Sequence, residues 1–294
     1  MKNSNPLAPS ELILNKDGSI YHLNLLPKDI AHTIITVGDP DRVSAITKHF
    51  DVIEVSKHKR EFKTETGLYK GKRLTVISTG IGTDNIDIVF NELDALVNID
   101  FKTRTIKDEL TQLNIIRIGT SGAIQEHIPL DSFLVSEIGI GFDNLLHFYK
   151  TASFINSELS EAFVKHTQWN TSNSKPYVVN GDETLLNLFT GENFRKGITA
   201  TNVGFYGPQG RKLRLVLQDD LLNSKLESFN YNNQVITNLE METSGIYGLA
   251  KLLGHKAISL NAIIANRANG TFSEKPKETV ALLIENTLNK LVTL

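Results

Sequence analysis

Two glutamates, Glu240 and Glu242, flank Met241 in the stretch VITNLEMETSG that runs from Val235 to Gly245. They fall where an apolar, strand-like run (Val235, Ile236, Leu239) gives way to a helical pattern. Ile246, Leu249, Ala250 and Leu253 keep the i, i+3, i+4, i+7 spacing of one helix face. Acids at the end of a buried strand stand where α/β sheets gather ligand groups. The same two acids also suit the first turn of a helix, whose dipole they complement.

Other polar groups with chemical potential also follow strand-like runs. Ile34–Val37 leads into Gly38-Asp39-Pro40-Asp41-Arg42. There Asp39 can cap a helix that starts at Pro40, and the turn offers backbone N–H groups to an anion beside the Arg42 charge. Read without that charge, it is an ordinary strand–turn–helix corner. Arg117 lies inside the strand-like run Asn114–Gly119, and Gly119-Thr120-Ser121-Gly122 after it reads as a second anion nest. Gly204-Phe205-Tyr206-Gly207-Pro208-Gln209-Gly210-Arg211 joins two aromatic rings, an amide and a guanidinium. That set suits a flat heteroaromatic ligand, stacked on the rings and read at its edge, though a Gly/Pro surface loop would look alike. No nucleotide fingerprint is complete. Gly80-Ile81-Gly82 has Asn85 where a third glycine belongs, and GLYKGK at 67–72 has the wrong spacing for a P-loop.

The elements that must position these groups alternate. Strands are expected at Leu74–Ser78, Ser132–Ile140, Gly197–Asn202 and, almost wholly apolar, Ala257–Ala265, which ends at Asn266-Arg267. Helices are expected over Val43–Phe50, Asp84–Asn98, 157–166, 182–189 and from Lys277 to the end. On the second of these, Ile86, Val89, Phe90, Leu93 and Val97 share a face. Asp17-Gly18 signals a hairpin within an N-terminal extension, residues 1–30. Residues 99–113 are polar and read as a surface insertion, helical in part. The pattern is one α/β domain spanning 1–294.

Composition removes several function classes. The 31 basic and 33 acidic side chains give a net charge of -2, without the basic excess of a nucleic-acid or membrane binder. The chain has no cysteine, so disulfides, thiolate zinc sites and cysteine nucleophiles are out. No apolar run approaches the ~20 residues of a membrane span. The start, MKNSNPLAPSE, lacks the apolar core of a signal peptide, and the expected location is the cytoplasm.

The ordered set GDPDRV (38–43), HKREF (58–62), STGIG (78–82), RIGTSGAIQ (117–125), FYGPQGR (205–211), NLEMET (238–243) and IANR (264–267) resembles the nucleoside phosphorylase family, and uridine phosphorylases within it. The resemblance implies a central mixed, partly barrel-like β-sheet flanked by helices. It implies phosphorolysis of a pyrimidine nucleoside: uridine plus phosphate gives uracil plus ribose 1-phosphate, with phosphate as co-substrate and no required cofactor. By this resemblance Gly38, Arg42, Arg117 and Thr120 hold phosphate, with Arg60 reaching over from a partner subunit. Glu242, with Glu240 and Met241 beside it, reads the ribose, and the partner's His22 meets the 5′ hydroxyl. Phe205, Gln209 and Arg211 take the base, braced by Arg267. Family members build dimers with shared sites, commonly three in a ring. Some relatives hold K+ at the dimer interface, at positions matching Glu61, Ile81 and Asn85 here. Purine-directed relatives carry an aspartate near the end of the last strand, where this chain has Asn266 and Arg267. A nucleosidase using water and a non-catalytic nucleoside binder are the competing readings. The arginine set speaks against the first, and the presence of Arg42, Arg117, Arg211 and Glu242 together against the second.

Overall fold

The apolar run Thr33–Val37 forms β1 and passes through Asp39, which accepts from Asp41 N, into α1 (Pro40–Thr47). A meander of β2 (Val52–Lys59), β3 (Phe62–Tyr69) and β4 (Lys72–Ser78) precedes α2 (Thr83–Asn98). The small pair β5 (Ile99–Asp100) and β6 (Thr105–Ile106) leads to the long strands β7 (Asn114–Ala123) and β8 (Phe133–Gly141). Then come α3 (Ser157–Thr167), β9 (Tyr177–Asn180), α4 (Glu183–Leu188) and β10 (Phe194–Thr201). The last third holds α5 (Leu222–Ser228), β11 (Asn230–Tyr231), β12 (Gln234–Glu240), α6 (Thr243–Leu253), β13 (Lys256–Asn266), β14 (Thr271–Phe272) and α7 (Pro276–Leu291). This computed structural model describes residues 5–150, 154–191 and 193–294.

The main sheet runs β11-β12-β10-β8-β13-β7-β1-β4-β3-β2 and closes on itself, because β12 also pairs β7. The closure depends on the length of β7. One edge of it pairs β13 from Asn114 to Ala123. The other edge pairs β1 over Asn114–Arg117 and then β12 at Gly122 and Ala123. β12, β10, β8, β13 and β7 therefore make a ring, and β1, β4, β3 and β2 extend from it as an open wing. The expected mixed, partly barrel-like sheet takes this form.

Helices cover the sheet with the faces that their periodicity dictates. Ile86, Val89, Phe90 and Leu93 of α2 are buried in one core cluster with Ile34, Ile116 and Leu283. Leu159 and Phe163 of α3 join Ile138, Ile140 and Ile198 in a second. α6 carries buried residues all round its first two turns, Thr243–Ala250, and so lies inside the molecule. Gly139 allows that burial: a Cβ there would lie 3.1 Å from Ser244 Cα.

Four local expectations change. Gly119–Gly122 is strand, not an open nest, because ring pairing takes up its backbone groups. Around Asp17-Gly18 the hairpin shrinks to a single bridge, Leu14 to Ile20, with the exposed Asp17 accepting from Ser19 N and Oγ; residues 1–4 of the extension lie outside the described residues. No helix forms in 99–113. Its tip is the β5–β6 turn, where the Arg104 guanidinium binds the carbonyls of Leu7, Ala8 and Leu12 and ties the insertion to the N-terminal segment. α1 ends at Thr47, short of Phe50. Among the described residues no helix is long and apolar enough to cross a membrane.

Candidate active site

β7, β12 and β13 end around one cavity of about 500 Å³. Its walls include Gly38 and Arg42 from the β1–α1 corner, and Arg117 and Thr120 from β7. Glu240, Met241 and Glu242 come from the β12–α6 junction, and Phe205, Gln209 and Arg211 from the loop after β10. Groups far apart in the chain are thus brought to one space. Phe272 of β14 lines it too, a residue that the sequence did not single out.

The floor is ionic. Arg117 Nη2 lies 2.6 Å from Glu242 Oε2 and 3.3 Å from Glu240 Oε2, and all three side chains are buried. Glu240 is enclosed by further donors: Thr201 Oγ1 at 2.7 Å, Glu242 N at 3.0 Å, and Thr243 N and Oγ1 at 2.9 Å each. Burial pushes its carboxyl above the ordinary glutamate range, and the Arg117 charge opposes that shift. Glu242 accepts from Gly82 N at 2.8 Å, which ties the acid to the start of α2. The two acids therefore differ. Both line the cavity, but Glu240 accepts from several internal donors, whereas Glu242 has one carboxylate oxygen on Arg117 and the other on Gly82 N. Burial lowers the Arg117 guanidinium, but Glu240 and Glu242 outweigh that and raise it, so it stays charged. Arg42 donates to Ile118 O at 3.4 Å, and burial next to Arg117 lowers its guanidinium. Two cations this close favour an anion between them.

Arg117 is held from behind. Its Nη1 donates to Asn261 Oδ1 at 3.0 Å and Ser259 Oγ at 3.3 Å. Asn261 Nδ2 reaches Ser136 Oγ at 3.2 Å, which meets Thr199 Oγ1; Thr199 donates to Asn238 Oδ1 at 2.8 Å, and Asn238 Nδ2 to Ser121 Oγ at 2.9 Å. This belt of buried polar side chains crosses every strand of the ring. An asparagine inside the apolar run of β13 was its visible sign in the sequence.

The opposite wall is lighter. A short 3-10 turn, Gly207–Gln209, ends at Gly210 with φ 67°. Gln209 is buried, and its Oε1 accepts from Arg211 Nη1 at 2.6 Å. Arg211 also donates to Phe205 O at 2.7 Å and lies 3.8 Å over the Phe205 ring. Burial and the nearby Arg267 charge push its guanidinium down to about 10. Phe205, Gln209 and Arg211 thus line one cavity, whereas the second ring of the loop, Tyr206, lines a neighbouring one. Arg267 does not line it; its stem packs on Gly122 and its Nη2 points 3.5 Å from Gly210 O. Asn266 is turned away, donating to Gln125 O and Ile128 O while accepting from Ala268 N.

Four further candidates, Arg60, His22, Glu61 and Asn85, stand apart from the cavity. Arg60 sits at the β2–β3 turn with φ 57°. His22 is clamped by Glu92, which accepts from His22 Nδ1 at 2.6 Å and from His22 N and Leu23 N. Glu61 and Asn85 meet at Gly80, but the Asn85 amide points its nitrogen at Ile81 O, 3.4 Å away. One chain therefore supplies a single carboxylate to that corner. Ile81 itself lies on the cavity rim.

Comparison with known proteins gives the family of the chain. The phosphorylase superfamily model matches residues 32–294, and the chain belongs to that superfamily. It is 28% identical over 278 residues to a uridine phosphorylase of Thermococcus kodakarensis, covering 91% of this chain and 85% of that one. It is 27% identical over 241 residues to a DeoD-type purine nucleoside phosphorylase of Buchnera aphidicola, covering 81% and 82%. A Trypanosoma brucei nucleoside phosphorylase, whose crystal structure is described as showing uridine phosphorylase activity, superposes with a TM-score of 0.86 at 30% identity over 97% of this chain and 100% of the other.

Proposed function

We propose that the protein is a pentosyltransferase that cleaves a pyrimidine nucleoside with phosphate, uridine and phosphate giving uracil and ribose 1-phosphate. The observation that carries this reading is the convergence of Arg42, Arg117, Glu242, Gln209 and Arg211 on one cavity. Uridine phosphorylases among the similar proteins support it.

In this reading phosphate lies against Gly38, Arg42, Arg117 and Thr120. Glu242 accepts hydrogen bonds from the ribose hydroxyls and favours the positive charge that grows on the sugar as the glycosidic bond stretches. A phosphate oxygen bonds to the anomeric carbon while the electron pair of the breaking C–N bond passes to uracil. Arg211 and the Gln209 amide stabilise the negative charge on the base edge before it is protonated. Holding both reactants in one cavity removes the entropy cost of their encounter. Phosphate is the co-substrate and no cofactor takes part. Asn266 is spent on structural bonds, and neither it nor Arg267 is an acid that could protonate a purine nitrogen; this favours pyrimidines over purines.

Arg60 and His22 lie outside the cavity of their own chain, so in this reading each serves the site of a second copy, in a dimer or a ring of dimers. A potassium ion at the dimer interface belongs to the same reading and rests on Glu61, Ile81 and Asn85. The cytoplasm is the proposed location.

Incubation with uridine, with and without phosphate, tests the activity by release of uracil. Phosphate-dependent release is expected. Release without phosphate would mean hydrolysis, and none would mean binding alone.

A further inference from the structure

Gln209 and Arg211 sit on a turn of very few residues, and something must keep that turn aimed. The chain after it, residues 212–221, forms no helix or strand and exposes Leu213, Leu215 and Val216. It borders a second cavity of about 940 Å³ that Arg211 also lines. Its Leu217 side chain packs beside Gly207, an apolar contact that does not fix the direction of the turn.

Asn223, at the start of α5, closes the segment. Its Nδ2 donates to Gln209 O at 3.2 Å. The partner is a carbonyl, which can only accept, so the amide must present its nitrogen. The contact also needs a glycine next door. A Cβ on Gly210 would come 2.6 Å from Asn223 Nδ2 and 2.9 Å from its Oδ1. Gly210 therefore serves twice: it takes a positive φ and leaves bare the face that the amide covers.

We infer that Asn223 is a positioning residue of the base-reading turn: its amide clamps the Gln209 carbonyl across Gly210, so Gln209 and Arg211 keep their aim whatever conformation residues 212–221 adopt. The inference rests on the proposed base role of Gln209 and Arg211, and it adds a specificity determinant on another helix.

Steady-state kinetics of the intact protein test it. Asn223→Ala should raise the KM for uridine and lower the preference for uridine over cytidine, each by about fivefold, the worth of one neutral hydrogen bond. The KM for phosphate should stay unchanged. A merely structural residue would lower the active fraction without altering that preference, so an unchanged preference overturns the inference. Gly210→Ala gives a second, independent readout. Its penalty should be smaller in the Asn223→Ala background, where the clash is gone; equal penalties in both backgrounds overturn the inference. Gln209→Ala is the control. If it raises the uridine KM and Asn223→Ala does not, the clamp fails alone; if it leaves the uridine KM unaltered, the base-site reading fails and the clamp with it.

Discussion

The two ends of the cavity are built in opposite ways. At the Arg117 end, Arg117, Glu240 and Glu242 lie on ring strands or at the helix that follows them, are buried, and Arg117 bonds to partners from distant parts of the chain. At the Arg211 end, the partners of the guanidinium are Phe205 and Gln209, its near neighbours in sequence, and the rim is exposed. One end is part of the core, and the other is mounted on it. Substitutions at the first should therefore disturb folding and turnover together, whereas those at the second should separate them.

The largest effect is expected for Arg117→Met. Glu240 and Glu242 would be left buried without their counter-charge, at a cost of about 3–5 kcal/mol. Urea unfolding should show that loss, and uracil release should vanish; a stable but inactive variant would break the contrast. Arg211→Ala comes next. It should cut kcat/KM for uridine about 100-fold, as removal of one charge-stabilising donor does, and shift stability by no more than about 0.5 kcal/mol. Equal damage to stability would place Arg211 in the core after all.

Asn266→Asp sharpens the contrast at the junction of the two ends. An aspartate there would set acceptors against the carbonyls of Gln125 and Ile128. The variant should lose about 1–3 kcal/mol and gain no activity on inosine; measurable inosine cleavage would show that the side chain can turn to the base. The smallest effect concerns pH. Burial raises the Glu240 carboxyl and the Thr201 hydroxyl lowers it. Protonation removes one of the two negative charges facing Arg117, so activity should fall on the acid side. Thr201→Val removes the lowering contact, and the acid limb of the kcat/KM profile should move to higher pH. A limb that moved lower would contradict the donor role of Thr201.

The same contrast governed how much could be read from the sequence. Glu240, Glu242 and Arg42 were legible because strand-to-helix transitions announce themselves locally. Arg117 stood out as a charge in an apolar strand, yet its partner 125 positions away could not be seen. Gly119–Gly122 looked like a loop because glycines usually mark one; pairing with β12 and β13 overrode that propensity. The β12–β7 closure has no local signature, since strand alternation does not say which edges meet. Nor does spacing reveal that Asn266 faces inward while Arg267 braces Gly122. The separation of Arg60 and His22 from the cavity is likewise a tertiary fact.

The polar belt from Arg117 through Asn261, Ser136, Thr199 and Asn238 to Ser121 has a consequence for how this chain can vary. Aliphatic layers accept many side chains of similar volume. A chain of directional bonds accepts few, because each inner member must both give and receive along a fixed line. Mutational drift should thus be lopsided, free among the leucines and isoleucines outside the ring and nearly frozen along this inner wire, although most of its members never meet a reactant.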